Sequence, residues 1–188
     1  MSLSISLTDD VITLRPFHME DAAQLYEAVC ESLTELKPWM SWAHDAYSRQ
    51  DAEDFIRITR ARWDGRALFA FAITDAKTGD ILGGCSLSNK NPVYRYCNVG
   101  YWVRSSRHGE GIAGRAAGLA ARYGFENEGI IRAEIVIAVG NDKSKRAAEK
   151  TRAHYEGILR NRMVVGNAIY DAHMYALLPS DFGLVARL

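Results

Sequence analysis

A chain of 188 residues with 48% hydrophobic and 24% charged residues is long enough to bury a core and has the composition of a soluble globule, which excludes disorder as the default. Lysine plus arginine and aspartate plus glutamate both total 23, so the net charge is zero, direct nucleic-acid binding is not expected, and any anion site must be local. The three cysteines, Cys30, Cys85 and Cys97, are odd in number and lack paired spacing; they read as small core residues in a reducing compartment, with no disulfide framework and no metal site.

Val11-Ile12-Thr13-Leu14-Arg15, ending at Pro16, predicts a strand, and Ala22, Leu25, Tyr26, Val29 and Leu33 then mark an amphipathic helix. Lys37-Pro38-Trp39-Met40-Ser41-Trp42 breaks that pattern, and a second helix is expected from Gln50 to Trp63, before Gly65. Three strands follow, Leu68–Ile73, Ile81–Leu87 and Asn98–Val103, the first two joined by a turn-rich Asp75–Asp80 link, so an antiparallel meander is expected. A helix from Gly111 to Asn127 carries Ala113, Gly114, Ala116, Ala117, Gly118, Ala120 and Ala121, small enough to let it lie close on a sheet. Ile131–Val139 predicts a strand interrupted by Glu134, Asn141 caps a helix from Ser144 to Lys150, and strands Tyr155–Leu159 and Val164–Leu178 flank the turn Val165-Gly166-Asn167. No repeat, linker or low-complexity tract divides residues 1–188, so one domain is expected. The start Met1-Ser2-Leu3-Ser4 lacks a basic region before an apolar run, and no stretch reaches about 18 uninterrupted apolar residues, so a cytoplasmic location without membrane contact is expected.

The strand ending at Val103, the polar loop Arg104-Ser105-Ser106-Arg107 and a helix opening at Gly111 place free backbone N–H groups at a positive helix end, which favours phosphate. Gly109 and Gly111 let the backbone curl and a pyrophosphate approach, with Arg104 and Arg107 placed to add charge-assisted contacts. A glycine pair alone is also common at ordinary helix starts. No P-loop string occurs in the chain. Gly109, Gly111 and Gly114 match the Gly-x-Gly-x-x-Gly spacing, but the preceding strands look antiparallel and no acidic residue closes the next strand, which disfavours a nicotinamide or flavin site.

The element order and the string His108-Gly109-Glu110-Gly111-Ile112-Ala113 together resemble the GNAT superfamily of N-acetyltransferases, whose pyrophosphate loop is commonly Arg/Gln-x-x-Gly-x-Gly/Ala. Within it the chain looks most like the RimJ/RimL-type ribosomal-protein N-terminal acetyltransferases. That likeness rests on Leu14-Arg15-Pro16 with Glu20-Asp21-Ala22, Pro38-Trp39, Gly100-Tyr101-Trp102, Asn141 with Ser144, and Glu149-Lys150 followed by Glu156-Gly157-Ile158-Leu159-Arg160. The resemblance implies an α/β fold with a mixed, mainly antiparallel sheet of about seven strands and about four helices. It implies acetyl-coenzyme A as co-substrate and no metal, with the pantetheine arm in a gap where the strand ending in Trp102-Val103 parts from the one starting near Ile131.

On the same resemblance, Val103 pairs with the arm, the amides from His108 through Glu110, Gly111, Ile112 and Ala113 to Gly114 hold the pyrophosphate, Arg104 adds charge, and Asn141 reaches the arm from the far side. Ser144 is the candidate proton donor to the departing thiolate, although both Asn141 and Ser144 also suit an ordinary helix start. Trp39, Trp42, Asn98 and Tyr101 are the acceptor-side candidates; the two tryptophans could equally plug the core.

The chain departs from the family pattern at three places. Asn98 stands where relatives carry a glutamate base, and Met163 where some ribosomal-protein relatives carry an acid. Arg152 stands at a usual glycine, where a positive φ would strain it by about 1 kcal/mol. Glu35, His44 and His173 are possible substitute bases. A protein α-amine, with a pKa of about 8 against about 10.4 for lysine, needs a base least, so an N-terminal amine, for example of a ribosomal protein, is the expected acceptor. A polyamine, amino acid or antibiotic is the alternative, and a silent acyl-coenzyme A sensor is the alternative of another class. A monomer or a homodimer fits equally.

Overall fold

The computed structural model describes residues 5–186. In chain order it contains β1 (Leu7–Thr8), β2 (Ile12–Pro16), α1 (Ala22–Leu36), α2 (Arg49–Asp64), β3 (Phe69–Asp75), β4 (Ile81–Asn91), β5 (Tyr96–Val103), α3 (Ile112–Asn127), β6 (Arg132–Ala138), α4 (Asp142–Glu149), β7 (His154–Val165) and β8 (Ala168–Leu177). The strands form one sheet in the order β1-β2-β3-β4-β5-β6-β8-β7, antiparallel throughout except for the parallel pair β5–β6. The expected mixed α/β architecture is therefore present with eight strands in place of about seven. The addition is β1, whose pairing of Leu7 with Leu14 is too short to leave a periodic signal.

Alternation along β3 sets the two layers. Phe69, Phe71 and Ile73 point to the side where α3 packs, while Ala70 and Ala72 point to the side of α1 and α2. The fully buried Ala116, Ala117, Ala120 and Ala121 let α3 lie close on the sheet, as their size suggested. Cys85 and Cys97 are buried in this layer, and burial pushes both thiols up to about 12; Cys30 is only half-buried, a correction to its reading as a core residue.

Three features bear on the site. Ladder pairing between β5 and β6 is confined to Tyr96–Arg132, Cys97–Ala133 and Asn98–Glu134, although β5 runs on to Val103 and β6 to Ala138. The chain leaves α4 without the strained residue anticipated at Arg152, which is not in the positive-φ region. There Thr151 Oγ1 donates to the Ala148 carbonyl (2.6 Å) and accepts from the Ala153 amide (2.9 Å), so the turn is made by a hydroxyl where the family resemblance led to the expectation of a glycine. The hairpin β7–β8 changes register twice, between Tyr155 and Gly157 and between Leu159 and Met163.

Gly83 and Gly84 on β4 face Trp102 and Val103 on β5 across the ladder. A Cβ at Gly83 would sit 2.1 Å from the Trp102 carbonyl oxygen, and one at Gly84 would sit 2.7 Å from its indole Nε1, so the glycines give the room in which Trp102 lies across β4. Gly83→Ala must push backbone against backbone. It should lower stability by about 2–3 kcal/mol, seen as a drop of several degrees in a thermal melt.

Candidate active site

A cleft of about 750 Å³ opens between the end of β5, the start of α3, the cleft-side face of α4 and the end of α1. Its size lies in the range of sites that take cofactor-sized ligands. After Val103 the chain makes a single 3-10 turn, Ser105–Arg107, and reaches α3 through Gly109 (φ +89°) and Gly111 (φ +77°). Left-handed backbone is the reason for both glycines, since a side chain at either would meet nothing within 4 Å. Gly111 caps α3 without a side-chain bond, and the first amide bonded back into the helix is that of Arg115, to the Gly111 carbonyl (3.2 Å). The amides of Ile112, Ala113 and Gly114 thus precede the helical ladder and line the cleft at the positive end of a 16-residue helix.

His108 Nε2 lies 2.9 Å from the Val103 carbonyl; a carbonyl only accepts, so that nitrogen carries the proton and one lone pair of Val103 is already engaged. Gly114 faces α4, where a Cβ would lie in ordinary contact, 3.6 Å from the Ala147 carbonyl.

The polar loop is clamped from α1. Glu31 accepts from the Ser106 amide (2.7 Å) and binds the Arg104 guanidinium, Ser32 Oγ accepts from the Ser105 amide (3.0 Å), and Glu35 accepts from the Ser105 hydroxyl (2.9 Å). Arg104, expected to serve the ligand, is instead spent on Glu31 and on the Ile81 carbonyl (3.3 Å) and does not line the cleft. Arg107 does line it, bonded to Glu110 (2.8 Å) and Asp75 (3.4 Å).

On the far wall, Asn141 caps α4 by accepting from the Ser144 amide (3.2 Å), and both residues line the cleft. Tyr101 meets Ser144 twice: its hydroxyl donates to the Ser144 carbonyl (3.1 Å) and lies 3.4 Å from Ser144 Oγ. Lys143, Arg146, Ala147 and Lys150 face the cleft as well. The cationic Arg146 and Lys150 were not anticipated, although the i, i+3, i+4, i+7 spacing of a helix face was available to find them. Lys143 reaches across to Glu35 (3.5 Å).

The acceptor-side candidates divide. Trp39 lines the cleft, close over Gly140 and edge-on to Tyr170 on β8. Trp42 lies outside the lining, packed against Trp102 and Tyr47, and is 39% exposed. Asn98 also lies outside it, paired across the ladder with Ser88 and Glu134. Glu134, with its side chain 13% exposed, is bonded to Arg132 (2.9 Å) and faces Arg162 (3.7 Å). Of the substitute bases, Glu35 is engaged as above, His44 is exposed beside Tyr47, and His173 is bonded to Tyr155 (3.2 Å). Among the described residues, no cluster of histidine, cysteine, aspartate or glutamate could hold a metal, and no helix is long and apolar enough to cross a membrane.

The bond from Arg104, aided by the Ser106 contacts, holds the Glu31 carboxyl down at about 2, against 4.5 for an unperturbed glutamate. A depressed carboxylate stabilises the fold above its unfolded value and loses that contribution on protonation. The clamp should therefore weaken as pH falls from about 4.5 to about 2. Glu31→Gln should melt lower than the native chain at pH 7 and change less across that acid window, as measured by thermal melts at several pH values.

The family described as acetyltransferase (GNAT) domain matches residues 12–154. YdaF of Bacillus subtilis (strain 168), provisionally named a ribosomal N-acetyltransferase, is 30% identical over 173 residues, covering 91% of this chain and 93% of that protein. The ribosomal-protein-serine acetyltransferase of Escherichia coli (strain K12) is 23% identical over 155 residues, covering 81% and 84%. The solved structure of RimL, a ribosomal L7/L12 alpha-N-protein acetyltransferase, in complex with coenzyme A has the same fold. Its TM-score is 0.81 at 19% identity, over 93% of this chain and 98% of that one. An open glycine turn at a helix start, a parted strand pair beside it and a match over most of the length converge: the chain belongs to the GNAT family and is an acetyl-coenzyme A-dependent N-acetyltransferase.

Proposed function

We propose that the acceptor is the α-amine of a polypeptide N-terminus, of the ribosomal-protein kind, and that the acetyl group passes by direct attack within a ternary complex. The observation that carries this reading is the base-poor acceptor side. Asn98, which the family resemblance sets where relatives carry a glutamate base, is an amide outside the cleft lining; its neighbour Glu134 is bonded to Arg132 and faces Arg162, and Glu35, which does line the cleft, is bonded to Ser105 and paired with Lys143. An amide cannot deprotonate an ammonium. An α-amine, partly neutral at pH 7, reacts under those conditions through water, whereas a lysine side chain stays charged. The names borne by the relatives support the same acceptor class.

The residues divide the work as follows. The amides of His108 through Gly114 hold the pyrophosphate, with Arg107, Lys143, Arg146 and Lys150 supplying positive charge along the cleft. The gap beyond Asn98 takes the pantetheine arm, where the second lone pair of the Val103 carbonyl accepts from it and Asn141 flanks it. Trp39 closes the acceptor end. The neutral amine forms the N–C bond as the C–S bond breaks and its electron pair moves to sulfur. Ser144 Oγ gives its proton to that sulfur, and the proton shed by the amine nitrogen returns through water to Ser144, so the products are amide and thiol.

Thiol release against a panel of amines tests the acceptor. Peptides with free α-amines should turn over and their N-acetylated forms should not. Turnover confined to a polyamine, amino acid or antibiotic would replace the peptide acceptor with a small molecule, and coenzyme A binding without any transfer would make the chain a sensor. Gly111→Asp puts a side chain and a negative charge at a φ of +77° beside the pyrophosphate. It should raise the acetyl-coenzyme A Kd by about tenfold or more while the fold persists, read by calorimetric titration.

A further inference from the structure

We infer that Tyr101 is the positioning residue for the Ser144 hydroxyl, holding it from the opposite wall of the cleft at the place where β5 and β6 no longer pair. The inference rests on Ser144 being the proton donor to the departing sulfur. Tyr101 stands on the face of β5 that carries Val99 and Val103, and its ring packs on the α3-side core. Its phenol emerges at the cleft and meets the first turn of α4.

The two contacts have different directions. The phenol has one proton, and it goes to the Ser144 carbonyl at 3.1 Å. Toward Ser144 Oγ the phenol oxygen is therefore an acceptor, and the serine proton points at it across 3.4 Å. That contact selects one serine rotamer of the three staggered ones, seating Oγ at the cleft wall before a ligand arrives. A bond of this length is weak, so turning the proton about Cβ–Oγ toward a developing thiolate costs little, while the oxygen keeps its place. Burial pushes the Tyr101 hydroxyl up to about 12, so the phenol keeps its proton at pH 7 and goes on donating it to the Ser144 carbonyl. The second contact, to the helix carbonyl, ties β5 to α4 where no strand ladder joins β5 to β6.

Single-turnover thiol release with the best amine of the panel, measured for Tyr101→Phe, Ser144→Ala and the double variant, tests this. Tyr101→Phe should slow the chemical step by about tenfold and leave both KM values within about twofold. In the Ser144→Ala background it should cost nothing more, because a residue acting through Ser144 has nothing left to hold. Tyr101→Met, which keeps bulk without a hydroxyl, should reproduce the loss, so that a folding failure of the phenylalanine variant does not decide the matter.

Full activity of Tyr101→Phe beside an impaired Ser144→Ala overturns this inference alone. An equal loss from Tyr101→Phe in both backgrounds, or a loss confined to KM, also overturns it. Full activity of Ser144→Ala overturns the proton-donor reading and this inference with it.

Discussion

The interruption of one parallel strand pair is the constraint on which the rest of the structure depends. β5 and β6 share a ladder only as far as Asn98 and Glu134 and then diverge, leaving the β6-facing backbone of β5 outside the sheet's own pairing. Two strands drift apart in this way only if each is held from its other side. β5 is held by β4, through a register that continues to Gly83 and Val103, and β6 by β8, through one that continues to Ala138 and Ala172. Trp102 anchors the β5 side by lying over the paired glycines of β4. At the edge of the opening the Tyr101 hydroxyl reaches the first turn of α4 at the Ser144 carbonyl. Backbone polar groups kept out of a ladder are a cost to the fold, and here they become the surface on which an extended ligand chain can pair.

Charge is distributed around this opening with a division of labour that the net charge conceals. Arg104 and Arg107 look equivalent as neighbours of a glycine turn, yet Arg104 braces the loop against α1 through Glu31 while Arg107 lines the cleft. α1 does the bracing with Glu31, Ser32 and Glu35, three residues that satisfy loop amides and hydroxyls in place of water. Lys143, Arg146 and Lys150 stand opposite on α4. A chain with as many acids as bases thereby gathers Arg107, Lys143, Arg146 and Lys150 along one cleft, which suits a polyanionic small ligand.

Much of this was legible in the sequence because its causes are local. Left-handed backbone at Gly109 and Gly111, the alanine face of α3 and the Asn141 cap each follow from the residue itself and its neighbours a turn away. What was not legible depends on partners far along the chain. Glu31 and Arg104 are 73 residues apart, and Tyr101 and Ser144 are 43 apart, so neither pair leaves a periodic trace. The turn after α4 shows the reverse error. A missing glycine looked like strain at Arg152, but Thr151 makes the turn with its own hydroxyl and the strained conformation never arises. Asn98 and Trp42 were placed correctly in the fold and still fall outside the cleft lining, because strand and loop position do not fix where a side chain ends.

The two register changes in β7 have a consequence beyond the site. β7 is the last strand of the sheet, with Ile158, Leu159 and Val164 exposed along it, and an unbroken edge of that composition would be a template for adding further strands. The bulges break the regular spacing of donors and acceptors. Within the second of them Asn161 adopts a φ of +50° and turns its N–H inward to Asp171 (2.9 Å). The hairpin thus removes one donor from the edge inside a register change, so the irregularity that complicates its pairing with β8 also blunts the exposed edge.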